Sequence, residues 1–414
     1  MVGSLSKPAA GSQRILFLYI AAAAIFAALA ARGLTVPLYA HELGANRFTV
    51  GALFSVSTLA AALLSLPSGV LVDRFGARTL LAVSVALTAG SQLATAATMS
   101  VAPLFVWQII GGLAGGIQQS AIFSAVTESV APTRRGRAMG WLTFSMQTGF
   151  FLGPSIGGVA LRWIDLRTDI AVTTALILLS LPGVIAASNT TQRSAQGLAL
   201  REPLRLLVRQ AAFVPVTIGL IALTLTWGTI GAFLPVFGAE ALKLPNSQTG
   251  YLLALQAVVN GTSRIPAGRL VDRMSQRWPI VFFGGIVWSM AMLVLGHLNG
   301  FLWPAVVIGI GTPFMAAAFV AIGVVFADLS TASTRGVTMG MYGTILFLGL
   351  AAGPLVFGPV VQGFGYVAGF TACALAAVAL VLVMAATQTG WPRRSTSPAA
   401  LDDSETRSRA TRQA

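Results

Sequence analysis

The stretch GVLVDRFGAR occupies residues 69–78, and a second copy, GRLVDRMSQR, occupies residues 268–277. The same register, an offset of about 200 positions, continues through later parts of the chain. There Glu128, Arg135, Gly149, Gly153 and Pro154 fall on Asp328, Arg335, Gly349, Gly353 and Pro354. Chance could align a few of the 44 glycines, but not charged residues, prolines and glycines in one register. We therefore predict a chain made of two related halves.

The composition excludes a soluble enzyme. The chain has 414 residues, of which 56% are hydrophobic and 9% are charged, whereas an ordinary soluble domain carries roughly 25% charged residues. The apolar residues form long blocks, and each block is long enough to cross a bilayer, which takes roughly 20 residues. A formal net charge of +14 would suggest nucleic-acid binding in a soluble protein. The placement of the charges excludes that partner and points to the lipid bilayer.

Twelve apolar blocks predict an all-α membrane protein with twelve transmembrane helices in two pseudo-symmetric six-helix bundles. The blocks are 15–39, 48–68, 79–99, 102–127, 138–160, 169–188, 212–238, 248–267, 279–298, 302–326, 337–360 and 366–387. The predicted organisation is a cytoplasmic arm at 1–14, a bundle at 15–188, a cytoplasmic linker at 189–211, a bundle at 212–387 and a disordered cytoplasmic tail at 388–414. Halves with even numbers of spans share one orientation, an arrangement typical of transporters.

The basic residues predict the orientation in the membrane. Twenty of the 26 Lys and Arg lie on the side of the two termini and four on the other side, namely Arg47, Arg162, Arg167 and Lys243. Such an excess marks the cytoplasmic side. We expect a multi-pass protein of the plasma (inner) membrane with both termini in the cytoplasm.

The repeated stretch resembles the signature loop of the major facilitator superfamily, Gly-x-Leu-Ala-Asp-Arg-x-Gly-Arg-Lys. It departs from that pattern at Ala77, and the second copy departs further at Ser275. The resemblance implies the fold of that superfamily and the function of a transporter, not of an enzyme.

The resemblance also implies a cytoplasmic gate. Asp73 would face Arg335 at the start of the eleventh block, and Arg74 or Arg78 would meet Glu128. The second copy would set Asp272 against Arg135. The complete predicted gate is Asp73, Arg74, Arg78, Glu128, Arg135, Asp272, Arg273, Arg277, Asp328 and Arg335. The alternative is that these charges only fix the topology.

The fifth block carries a set of small residues, here called the glycine motif: Gly149, Gly153, Pro154, Gly157 and Gly158. It resembles the motif that the superfamily associates with export by antiport. The alternative is close helix packing, which small residues four apart also favour. Similar exporters carry an arginine in the fourth helix, and this chain has Gln108 or Trp107 there, depending on which glycine pair is aligned.

Ionisable residues inside spans are functional candidates, because a charge at the bilayer centre is costly. Arg32 and Arg264 lie inside blocks, and we interpret both as near a membrane boundary, where Arg32 can extend outward. No acid falls near the middle of a block, and six of the twelve acids fall in connections or the tail. Glu42, Glu240 and the neighbouring His41 are the candidate proton carriers, provided that an outer vestibule buries them.

The resemblance places blocks 1, 4, 7 and 10 innermost, flanked by 2, 5, 8 and 11. Amides and aromatic rings at mid-depth suit a neutral or weakly polar organic compound, although the amides could equally join helices. The predicted substrate cavity contains Arg32, Phe26, Gln118, Gln119, Gln147, Trp227, Gln256, Asn260, Phe314, Met315 and Phe347.

The functional prediction is a secondary transporter that exports a hydrophobic drug-like compound or small metabolite by alternating access, with protons as the coupling ion. An uptake permease or uncoupled facilitator is the nearest alternative, and a non-transporting membrane sensor on the same scaffold is a further one. We expect a monomer without cofactor or metal. The lone Cys373 excludes an intramolecular disulfide.

Overall fold

The structure, a computed structural model, describes residues 10–131, 134–187, 201–330 and 335–387. Within these ranges the chain forms α-helices and no strand. The helices are α1 Ala10–Glu42, α2 Arg47–Phe75, α3 Ala77–Ala97, α4 Val101–Glu128, α5 Arg135–Ala160, α6 Leu166–Leu178, α7 Leu181–Ala186, α8 Arg201–Val208, α9 Phe213–Glu240, α10 Asn246–Arg273, α11 Trp278–Leu295, α12 Leu302–Asp328 and α13 Arg335–Ala386.

The helices account for twelve membrane spans. Nine helical segments in the described ranges are long and apolar enough to cross a bilayer, with α6 and α7 forming one span, Leu166–Ala186. The 52 residues of α13 would reach about 78 Å at 1.5 Å per residue, over twice a bilayer core of roughly 30 Å. Gly365, with φ 86° and ψ 175°, is not helical and divides it into two spans. With the more polar α5 and α10 the count is twelve, which confirms the predicted all-α fold.

Each half has its own apolar core. Leu18, Leu81 and Ile122 are fully buried in the first half, and Phe233 and Phe326 in the second. Helices satisfy their own backbone hydrogen bonds, which lipid cannot do, so helical bundles are the stable form for such blocks.

The repeated stretch is mostly helical, and its only break in the first copy is Gly76. This glycine has φ 82° and donates its N–H to the Val72 carbonyl at 2.8 Å, linking α2 directly to α3. A left-handed φ favours glycine. In the second copy residues 274–277 separate α10 from α11, and this longer link lets Ser275 replace the glycine.

The two sides of the bundle can be named from the chain itself. The terminal face is the one at which α1 begins and α13 ends, and the far face is the opposite one. The amphipathic α8 precedes the second half in the chain and packs on it, with the buried Leu207 in the second core. α1 begins at Ala10, earlier than the predicted boundary. Most of the arm, part of the linker and the whole predicted tail at 388–414 lie outside the described residues.

Candidate functional site

An ion-pair cluster joins the halves at the far face. The Arg47 Nε lies 2.7 Å from Glu240 Oε2, the Tyr366 hydroxyl donates to the same oxygen at 3.1 Å, and His41 Nε2 lies 3.3 Å from Oε1. The Arg47 guanidinium also lies 4.8 Å from the centre of the Tyr366 ring. The Glu240 side chain is 18% exposed. Of the three candidate proton carriers, His41 and Glu240 therefore meet in one cluster, whereas Glu42 is exposed at the end of α1.

Further contacts close the far face on both sides of this cluster. On one side the Ser55 hydroxyl of α2 donates to the Ala351 carbonyl of α13 at 2.8 Å. On the other side Arg162, just after α5, donates to the Ser247 hydroxyl of α10 at 3.2 Å. The two halves are thus held together at the far face by Arg162 and Ser247 and deeper in the bundle by Ser55 and Ala351.

The glycine motif packs α5 onto α1. A Cβ atom at Gly149 would lie 2.8 Å from the Ala27 nitrogen, and one at Gly153 would lie 2.8 Å from the Ala31 nitrogen and closer still to the Ala27 carbonyl oxygen. Real Cβ atoms do not make such contacts, and backbone atoms cannot rotate away. The motif therefore creates a backbone-to-backbone helix contact of the small-residue type.

The counterpart of this motif does the same in the second half. Cβ atoms at Gly349 and Gly353 of α13 would overlap Thr224, Leu225 and Thr229 of α9. In the first half the motif also reaches across to its partner half, because a Cβ at Gly158 would lie 3.2 Å from the Gly250 Cα of α10. Close packing is thus part of the role of the motif, in both copies.

Arg32 does not extend outward to the membrane boundary as we had interpreted it. Its guanidinium is buried and donates to the Gln108 side chain of α4. Gly111, one turn along α4, leaves the space that the guanidinium occupies, since a Cβ there would overlap it. Gln108 stands at one of the two positions considered for the arginine of similar exporters. The structure thus brings a guanidinium to that position from α1 instead of α4.

The predicted cavity residues differ in burial. Phe26 packs against Phe150, with ring centroids 5.2 Å apart, and Trp227 packs against Phe319 at 5.5 Å. The buried members of the predicted set are Phe26, Arg32, Gln118, Gln256, Asn260 and Met315. The partly buried members are Gln147, Trp227 and Phe347, and the exposed ones are Gln119 and Phe314.

Two kinds of amide occur in this region. Gln147 of α5 donates to Asn260 of α10 at 3.3 Å, and Asn260 accepts from Arg264 Nε at 3.0 Å, so these amides join the halves. Gln118 and Gln256 are buried, and their Nε2 atoms have no hydrogen-bond partner within the described residues. A buried donor without a partner is costly, so these two amides are the better candidates for ligand contacts.

In the first half, a loop arginine was predicted to pair with the acid that ends the fourth block. At the terminal face, the structure has the equivalent pair in the second half. Arg277, at the start of α11, forms an ion pair with Asp328, at the end of α12. The other predicted gate residues of α10 and of the first half are exposed, namely Asp73, Arg74, Arg78, Glu128, Arg135, Asp272 and Arg273. The side chain of Arg335 lies outside the described residues, so the contacts predicted for Asp73 and Asp272 stay predictions.

Asp169 is a buried acid that was not among the predicted site residues, because it was grouped with the acids of the connections. Asp169 lies in the first turn of α6, is 1% exposed, and neither carboxylate oxygen has a hydrogen-bond partner within the described residues. The sequence feature that could have indicated its position is Asp165, whose side chain accepts from the Thr168 N–H and caps α6. That cap starts the helix before Asp169. Hydrogen bonds from Thr168 also hold the pKa of the exposed Asp165 below its ordinary value.

No cluster of three or more His, Cys, Asp or Glu in the described part of the chain could hold a metal ion. The site therefore consists of ion pairs and close helix contacts at the far face, a buried arginine below them, and rings and amides at mid-depth.

Comparison with known proteins agrees with this geometry. The sequence profile described as Major Facilitator Superfamily matches residues 17–316 and 216–411. An uncharacterised MFS-type transporter of Methanocaldococcus jannaschii is 22% identical over 331 residues, which cover 78% of this chain and 84% of that protein. The quinolone resistance protein NorA of Staphylococcus aureus is 23% identical over 218 residues, covering 52% of this chain and 56% of NorA.

Solved structures share the fold. The nucleoside transporter NupG superimposes with a TM-score of 0.73 at 15% identity, over 91% of this chain and 99% of NupG. A bacterial homologue of the human lysosomal transporter Spinster, in an inward-facing and unoccupied conformation, gives 0.72 at 13% identity, over 93% of this chain and 97% of that one. The match of the family profile along most of the chain, with twelve spans in two repeated halves, shows that the chain belongs to the major facilitator superfamily of membrane transporters.

Proposed function

We propose that this protein is a secondary active exporter of a hydrophobic drug-like compound or small metabolite, working as a monomer by alternating access and coupled to protons. In this proposal the terminal face is cytoplasmic, because it carries most of the basic residues, and the membrane is the plasma membrane. The far face is then extracellular and closed in this conformation.

The packing of the glycine motif is the observation that carries the proposal. Gly149 and Gly153 fix α5 to the backbone of α1, while Gly158 of the same helix contacts Gly250 of the other half. Pro154, between these contacts, lacks an N–H and permits a bend. A movement of α5 that opens the far face would therefore also move α1. Phe26 and Arg32, two residues of the predicted cavity, lie on α1.

The central residues favour a largely apolar substrate. The ring pairs around Phe26 and Trp227 offer aromatic surface. The amide donors of Gln118 and Gln256, which have no partner in the part of the chain that the structure describes, match carbonyl or ether oxygens. The similarity to NorA, a quinolone resistance protein, adds support for a drug-like compound.

The far-face cluster supports coupling to protons. Glu240 there accepts from Arg47 and Tyr366, and a proton on its carboxylate would remove the charge that attracts Arg47. Glu240 and His41 are therefore the proposed proton-binding groups of this cluster. An uncoupled facilitator is the second candidate, favoured because no acid in the described part of the chain lies at mid-span.

Transport by the purified protein in liposomes tests the proposal. The vesicles carry an imposed pH gradient and a panel of lipophilic dyes and a quinolone, and Asp73→Asn serves as a gating variant. We expect uphill movement of at least one compound that stops when an ionophore collapses the gradient. If the compound moves at the same rate with and without the gradient, the protein is a facilitator and not an exporter. Binding without any movement would favour a sensor.

A further inference from the structure

Asp169 is a buried acid that the proposed gate and cavity do not use. Its carboxylate lies between α6, α5 and α1: a Cβ atom at Gly157 would be 3.4 Å from Asp169 Oδ2 and 3.9 Å from the Ala31 Cβ. The residue is 1% exposed, and both of its oxygens are without a hydrogen-bond partner in the described ranges. It is therefore an enclosed polar group facing small residues.

Four charged or titratable side chains on the helices around Asp169 contact partners other than its carboxylate. On α1, Arg32 bonds Gln108 and Tyr39 donates to the Thr98 carbonyl at 2.6 Å. Beyond α5, Arg162 bonds Ser247, and on α6, Arg167 lies 3.9 Å from the Met99 sulfur.

Helix α3, which also packs on α6, has Arg78 as its one ionisable residue, at the opposite end. Among the described residues no cation thus faces Asp169. The nearby Gln92 of α3 instead accepts from Thr174, one turn beyond Asp169, at 3.2 Å.

An ionised carboxylate in such a place has lost its water without gaining a partner, so burial there favours the neutral acid. We propose that Asp169 is a proton-binding site whose protonation allows the far face to close. The carboxylate takes its proton from water of the far side while that face is open. Closure then buries the neutral acid, and raising the pH favours the open face. This inference names a residue for the proton coupling of the proposed function. It rests on the proposed function only in that a pH gradient would drive transport through this site.

The position of Asp169 explains how opening would reach it. Gly157, which covers the carboxylate, directly precedes Gly158, which contacts Gly250 of the other half. Separation of α5 from α10 at this point would uncover Asp169, because Gly157 has no side chain to shield it.

Cysteine labelling measures the opening of the far face without requiring transport. Ser247 of α10 is 2% exposed and lies in the contact between the halves, so Ser247→Cys becomes reactive toward a polar maleimide only when the far face opens. The native Cys373 is fully buried and gives a low background. Each rate is divided by the rate of the same protein unfolded in detergent at the same pH, which removes the intrinsic ionisation of the thiol.

We expect the corrected rate to rise with pH, by up to about tenfold per pH unit for one proton, and Asp169→Asn to abolish that rise. Asp165→Asn is the matched control, because it removes an exposed acid from the same helix and keeps the cap. A rise that persists in Asp169→Asn would overturn the proposal.

Transport separates this proposal from the proposed function. If the wild type and Asp169→Asn are driven equally by a pH gradient, the exporter stands and Asp169 is not its proton site. If neither transports with the gradient but the pH-dependent opening is lost only in Asp169→Asn, the proton site stands and coupled export fails.

Discussion

Replacement of Gly153 by alanine should disrupt the contact between α1 and α5. The added Cβ would lie 2.8 Å from the Ala31 nitrogen and 3.0 Å from the Ala27 carbonyl carbon, whereas comfortable contacts lie near 3.5–4.0 Å. The helices must therefore separate by about 1 Å. Forced separation of this kind costs about 1–3 kcal/mol.

Gly140→Ala is the matched control in the same helix, because nothing lies within 4 Å of the Cβ that it adds. Alanine there should gain about 1 kcal/mol from its higher helix propensity. The two variants should thus differ by about 2–4 kcal/mol, which corresponds to a difference in melting temperature on the order of 4 °C.

The assay follows thermal unfolding with a dye that fluoresces when it reacts with a thiol. Cys373 is the only cysteine and is fully buried, so the dye reports global unfolding. Gly153→Ala should unfold at a lower temperature than the wild type, and Gly140→Ala should not. Equal midpoints for the two variants would refute the backbone contact on which the role of the motif rests.

Two further predictions follow from the buried arginine and the far-face cluster. Gly111→Ala should expel the Arg32 guanidinium from its place on α4 and raise the KM for the substrate at least severalfold; an unchanged KM would show that Arg32 does not contribute to the cavity. Glu240→Gln removes the charge that Arg47 meets, and at this partial exposure the loss of about 1 kcal/mol should increase far-face labelling of Ser247→Cys about fivefold. Lys243→Asn, an exposed change nearby, should leave that labelling unaltered, and an equal response of both variants would exclude the ion pair as a closing contact.

The sequence predicted the fold well because the signals are local and repeated. Twelve apolar blocks needed only length and hydrophobicity, and the copies around Asp73 and Asp272 revealed the two halves. The start of α1 shifted by five residues, to Ala10, because the polar turn before the block is also helical and hydrophobicity does not mark it.

The site was less predictable, because its contacts depend on how the helices pack. Depth along α1 suggested that Arg32 reaches the membrane boundary, but the gap left by Gly111 on another helix draws it inward. Asp169 was assigned to a connection because the pattern of hydrophobic residues does not include the polar cap, Asp165, at which α6 begins. Pairing of Glu240 with Arg47 joins residues 193 positions apart, and no pattern within either half reports it.

Proton-coupled export can be tested by recording proton and substrate movement simultaneously in one set of liposomes. A pH-sensitive dye inside the vesicles follows protons while the substrate is followed by its own fluorescence. The account predicts that substrate added on one side moves uphill while protons move in the opposite direction, and that Asp169→Asn uncouples the two. Protons moving in the same direction as the substrate, or substrate moving without protons, would contradict it.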